Sequence, residues 1–141
     1  MRSRYPLHVS ILVVVAVGGA VGASARYTLG ELFGYDATGF PWTTFAINVT
    51  GSFLLAGLPA LSVVRRSHYL PPLLGTGVLG GFTTLSAYSE QARALVAAGA
   101  VGTATAYVVG SLVACLVAVA LVDRLSQPGD RAEFEGEEGD L

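Results

Sequence analysis

Charge is scarce in this chain. Of 141 residues, 13% are charged and 52% hydrophobic, whereas an ordinary globular chain carries about 25% charged residues. The few charges stand almost entirely at segment boundaries and in the C-terminal tail. That distribution excludes a water-soluble domain and assigns the chain to a bilayer. Cysteine is scarcer still: Cys115 is the only one, so an intrachain disulfide and a cysteine-based metal cluster are both excluded. The two histidines, His8 and His68, lie at the edges of apolar runs with no partner at ligand spacing, and read as interfacial residues. Connections are short, roughly 33–42, 65–69 and around Gly99, which leaves no room for an extramembrane domain. An enzyme acting on a soluble substrate is excluded with it, and nothing calls for nucleotide hydrolysis or nucleic-acid binding.

What the chain has is long apolar runs. A helix needs about 20 apolar residues to cross a bilayer core, and Thr43 to Val64 and Val101 to Val122 each supply a run of that order without a charge. A third run, from about Leu7 to Leu29, carries Arg26 near its far end, and a fourth, from about Leu70 to Ala98, holds Glu90 and Arg93 in its last third. Arg2 and Arg4 before the first run, with Ala23-Ser24-Ala25 within its far part, also fit a signal peptide; three later spans favour keeping the first in a bundle. The expected fold is therefore all-α and integral to the membrane, with four transmembrane helices formed by residues 1–126. Residues 127–141, QPGDRAEFEGEEGDL, hold most of the acidic residues and almost nothing apolar, and are expected to form a disordered acidic tail.

Four spans put Arg2, Arg4, Arg65, Arg66, Arg124 and Arg131 on one side and at most Arg26 and Arg93 on the other. The positive-inside rule then predicts cytoplasmic N- and C-termini. Polar residues inside the spans follow a pattern: Thr44, Asn48 and Ser52 repeat every fourth residue, as do Tyr107, Ser111 and Cys115, so each set lies along one helix face. Each residue alone serves as helix-helix glue at about 1 kcal/mol or less per bond.

The stretch GVLGGFTTLSAYSEQ, residues 77–91, shifts the balance toward a lined pathway. Gly18 with Gly22, and Gly77 with Gly81, are small-xxx-small pairs that fit close helix packing. Gly80-Gly81 followed by the β-branched Thr83-Thr84 predicts a helix broken at Gly80-Gly81. Unwound backbone at membrane depth is tolerated where it faces protein or a cavity, and its freed groups can hold an ion. No carboxylate lies at that depth, so such a site would bind through dipoles.

Together GGAVGASARY, PWTTFAINVTGSFLLAGL and GVLGGFTTLSAYSEQ resemble the small four-helix fluoride channels of the Fluc/CrcB family, in order and spacing, over about residues 14–122. The resemblance implies an antiparallel dimer in the inner or plasma membrane that exports cytoplasmic fluoride passively, reducing its toxicity. It also implies one structural sodium ion at the dimer centre, held by the carbonyls of Gly80 and Thr83. Thr44, Asn48, Leu85, Ser86, Tyr88, Tyr107 and Ser111 fall on the implied fluoride path, and Arg26 on a structural or vestibule position. The chain departs from the family pattern at Leu85 and Tyr88, where phenylalanines are usual, at Gln91, where an acid is usual, and at Cys115, where a hydroxyl is usual. Its one-sided arginines favour a heterodimer with an oppositely oriented paralogue, in which this chain would conduct or act as a weakly conducting or non-conducting structural partner. A proton-coupled multidrug exporter would need an embedded carboxylate, and the first two spans have none before Glu31.

Overall fold

The computed structural model describes residues 6–34, 36 and 38–126, with side chains from residue 10 onward. The expected acidic tail, Arg2, Arg4, Arg131 and the His8 side chain lie outside the described residues. Helix α1 (Pro6–Phe33) starts on a proline, where a missing N–H breaks no helical bond. Its 28 residues span about 42 Å. Gly34, at φ 63°, ends it in the left-handed conformation, with its N–H on the Gly30 carbonyl. The Asp36 carboxylate then accepts the Thr38 amide and hydroxyl at 3.0 and 3.2 Å. Those bonds, the backbone one first, hold Asp36 below the usual carboxylate range.

Helix α2 (Trp42–Gly57) gives way to a 3-10 turn, Leu58–Ala60, and an extended Leu61 before the short α3 (Ser62–Arg65). The run from Thr43 to Val64 is therefore not one helix. Pro59 has no N–H to continue the ladder, and the Arg65 guanidinium closes the turn by donating to the Pro59 carbonyl at 2.7 Å. A π-helical segment, Pro72–Leu79, leads into α4 (Gly80–Phe82). Helix α5 (Leu85–Ala97) follows, and after Gly99 (φ 78°) α6 (Val101–Leu125) completes the fold.

The interruption lies at Thr83-Thr84, not at Gly80-Gly81. Gly80 keeps helical angles (φ −65°, ψ −35°), while Thr83 and Thr84 are extended, with ψ of 157° and 121°. Packing explains the correction. A Cβ on Gly81 would strike Gly19 of α1, one on Gly22 the Val78 carbonyl, and one on Gly77 would lie 3.0 Å from the Val15 carbonyl. These glycines exist for close backbone approach. The threonine hydroxyls break the helix: Thr84 accepts the Ala87 amide at 3.1 Å as the N-cap of α5, and Thr83 donates back to the Leu79 carbonyl at 2.9 Å.

These contacts also fix direction. Residue 15 meets 77 and residue 22 meets 78 and 82, so α1 runs parallel to residues 72–82. Phe45 packs by Tyr107 at one end and Gly57 meets Val122 at the other, so α2 runs parallel to α6. Leu29 and Phe33 share a hollow with Trp42 and Thr43, so α1 and α2 are antiparallel. The described residues form helices and turns, with no strand. Three helical stretches, Ser10–Phe33, Trp42–Ala60 and Val101–Leu125, are long and apolar enough to cross a membrane. Leu12, Leu116 and Leu121 are 67%, 60% and 52% exposed, as suits faces solvated by lipid.

Candidate functional site

Asn48 organises the break. Its side-chain oxygen accepts the Thr84 amide at 2.8 Å and its NH2 group donates to the Thr84 carbonyl at 3.0 Å. One side chain of α2 thus replaces both neighbours that an extended residue has lost. The break leaves the carbonyls of Gly80, Phe82 and Thr83 without the amide four residues on. The Thr84 amide would serve the Gly80 carbonyl in a continuous helix, and the Ala87 amide the Thr83 carbonyl, but Asn48 and the Thr84 hydroxyl have taken them. The Gly81 carbonyl instead accepts the half-buried Arg26 Nε at 3.2 Å. Gly80 and Thr83 therefore offer an oxygen-only donor set of the type hard cations take. Among the described residues no three His, Cys, Asp or Glu side chains form an alternative metal site.

Two hollows flank this brace. The inner one, about 330 Å³, is lined by Asn48 and Ser52 of α2, the Thr83-Thr84 break, Leu85 and Tyr88 of α5, and Ser111 and Cys115 of α6. Asn48 and Ser52 of one sequence stripe and Ser111 and Cys115 of the other thus face one space, while Thr44 and Tyr107 do not line it. The Ser111 hydroxyl is buried without a hydrogen-bond partner, and the residue is 3% exposed. An orphaned polar group of this kind costs about 1–3 kcal/mol, so it marks a place where a polar ligand would be favourable. The outer hollow, about 200 Å³, is lined by Thr44, Gln91, Asp36 and the aromatic start of α2.

Two tyrosines pack beside the inner hollow, and Tyr88 forms part of its wall. Tyr107 is fully buried, donates to Gln91 Oε1 at 2.9 Å, and meets Phe40 edge-to-face at 5.4 Å. Tyr88 lies against it, ring centroids 5.1 Å apart, and donates across to the Val108 carbonyl at 3.0 Å. Leu85 is 76% exposed on the rim. Ser86 is exposed, shares a hydrogen bond with the Thr84 hydroxyl, and lines neither hollow. Thr84 and Gln91 hold this site together although the sequence reading gave neither a site role. A threonine three residues before the Ala87 amide was the available signal for Thr84; Gln91 carried none beyond its family position.

Residues 13–122 match the family described as CrcB-like protein, Camphor Resistance (CrcB). The chain belongs to the CrcB family. Similar CrcB-family relatives include the fluoride-specific ion channel FluC 1 of Streptomyces coelicolor, 42% identical over 84% of this chain and 78% of its own. The fluoride-specific ion channel FluC of Novosphingobium aromaticivorans is 50% identical over 71% and 82%, and that of Paracoccus denitrificans 44% over 74% and 85%. Membership and the apolar helices make this a multi-pass membrane protein. The family consists of ion channels, not enzymes.

Proposed function

We propose that the chain is a subunit of a fluoride channel that lets fluoride leave the cytoplasm passively. The observation that carries this is the match, over most of the chain, to relatives named fluoride-specific ion channels. The inner hollow supplies the chemistry: a small, strongly hydrated anion needs dense donors, and Ser111 has an uncommitted hydroxyl. Asn48 contributes its second N–H, since the first is committed to Thr84. Residues 70–97 make the fourth crossing, in the direction of α1. Both termini then face the cytoplasm, beside Arg65, Arg66 and Arg124.

The working unit is an antiparallel dimer. Its partner is an oppositely oriented paralogue, because arginines on one side work against insertion both ways. A structural sodium ion sits at the subunit contact on the carbonyls of Gly80 and Thr83, where it neutralises dipoles that the break leaves without donors. A second reading, a structural partner that conducts weakly, is favoured by Leu85, which gives the hollow no aromatic edge, and by the committed hydroxyl of Tyr88. Purified full-length chain in liposomes, alone and with the paralogue, tests this with a fluoride electrode. Selective efflux in either preparation supports a channel, and efflux from the chain alone removes the need for a paralogue. Absence of efflux in both overturns the reading.

A further inference from the structure

Cys115 is the chain's one thiol, and its place along α6 sets it far from bulk water. It stands about 21 Å from the first residue of that helix and about 15 Å from the last, near the middle of a bilayer core about 30 Å thick. A thiol at that depth meets a charged reagent only through a cavity that holds water. The fold supplies one: the half-buried Cys115 lines the inner hollow together with Asn48 and Ser52 of α2. Ser111, one turn earlier on the same wall, is 3% exposed and its hydroxyl has no partner. Such a group is satisfied by water or by an ion, so the wall that carries the thiol is a wet one. A hydroxyl at position 115 would be inert there, whereas a thiol supplies a nucleophile.

We propose that Cys115 is a modification site inside the inner hollow, where a small, polar, sulfur-directed electrophile reaches the thiol from water and closes the hollow. This rests on the fluoride-path reading above and adds to it an inactivation point on a single atom, Cys115 Sγ. With an alkyl methanethiosulfonate the step is a thiol exchange. The Cys115 sulfur bonds to the reagent's sulfenyl sulfur, the reagent's own S–S bond breaks, methanesulfinate leaves with its electron pair, and the thiol proton passes to water. A transferred group that ends in a sulfonate fixes a negative charge in a hollow of about 330 Å³, where a second anion is repelled.

The test treats the full-length wild type and Cys115→Ser, each in the liposome preparation that conducts, with sulfonatoethyl methanethiosulfonate. Mass spectrometry should find one adduct on the wild-type chain and none on Cys115→Ser. Fluoride efflux, each protein measured against its own untreated sample, should fall about tenfold or more for the wild type and hold its untreated value for Cys115→Ser. A thiol that stays unmodified in the bilayer, yet reacts once the chain is unfolded in dodecyl sulfate, overturns the site. Labelling by the lipid-soluble N-ethylmaleimide alone does so too, because it would place the sulfur against acyl chains. Complete labelling with efflux intact, or a matching loss in Cys115→Ser, overturns the closure. The adduct is read without transport, so a wild type that passes no fluoride overturns the channel reading while the label still decides whether the hollow is open to water.

Discussion

Along the seam between α1 and residues 72–82, glycine faces backbone: Gly18, Gly22 and Gly81 leave no room for a single added carbon, and Gly77 only a tight fit. Along the seam of α2, α5 and α6 the same lipid-facing protein keeps two hollows, a buried hydroxyl without a partner and two tyrosines tied by their oxygens. The first seam is backbone packing with a small demand for hydrogen bonds. The second is held by polar groups whose partners lie on other helices, so it has the chemistry an ion needs. Asn48 and Arg26 join the seams at the Thr83-Thr84 break, one from each side. The packing seam thus holds the polar seam in shape.

Substitutions that add a carbon on the glycine seam should abolish folding, whereas those on the polar seam should leave a folded protein of equal or lower stability. The largest effect is expected at Gly22→Val. Its Cβ would strike the Val78 carbonyl, which is backbone and cannot step aside. Overpacking of that kind costs about 3 kcal/mol or more, and size-exclusion chromatography should show little folded protein. Asn48→Ala comes next: it leaves the part-buried Thr84 N–H and C=O without their partner, at about 1 kcal/mol or more for each group. A melting curve should show the loss, and Asn48→Asp, which restores only the acceptor, should recover part of it.

Arg26→Gln should cost about 1 kcal/mol, read in the same melting curves, and should harm assembly more than anion preference, because the Arg26 Nε holds the Gly81 carbonyl. The smallest effect is expected at Asp36→Asn, in an exposed turn. The Thr38 bonds lower the folded-state pKa of Asp36. Its contribution is therefore present above the ordinary aspartate range and lost as pH falls through the lowered value. Loop proteolysis should accelerate in acid for the wild type and lose that pH dependence in Asp36→Asn.

Both polar stripes were legible in the sequence because four-residue spacing fixes a helix face without knowledge of the neighbour. Asn48, Ser52, Ser111 and Cys115 do share one hollow. Apolar length likewise announced the crossings but not where they bend, since the Thr43 to Val64 run hides the turn at Pro59. The glycines misled for a physical reason. A missing Cβ serves backbone freedom and close packing alike, and only the position of α1 decides that Gly81 is used for the second. Asn48 reads as a donor for a ligand until its bonds to Thr84 show that most of its capacity braces the break.

The central claim is that the hollow on α2, α5 and α6 carries fluoride, and Ser111→Ala tests it most directly. Removing a buried hydroxyl that has no protein partner should leave the melting temperature unchanged or slightly higher. Fluoride efflux at equal folded protein should fall by about tenfold, the factor that corresponds to 1.4 kcal/mol. Wild-type efflux from Ser111→Ala would contradict the account and place the ion path elsewhere.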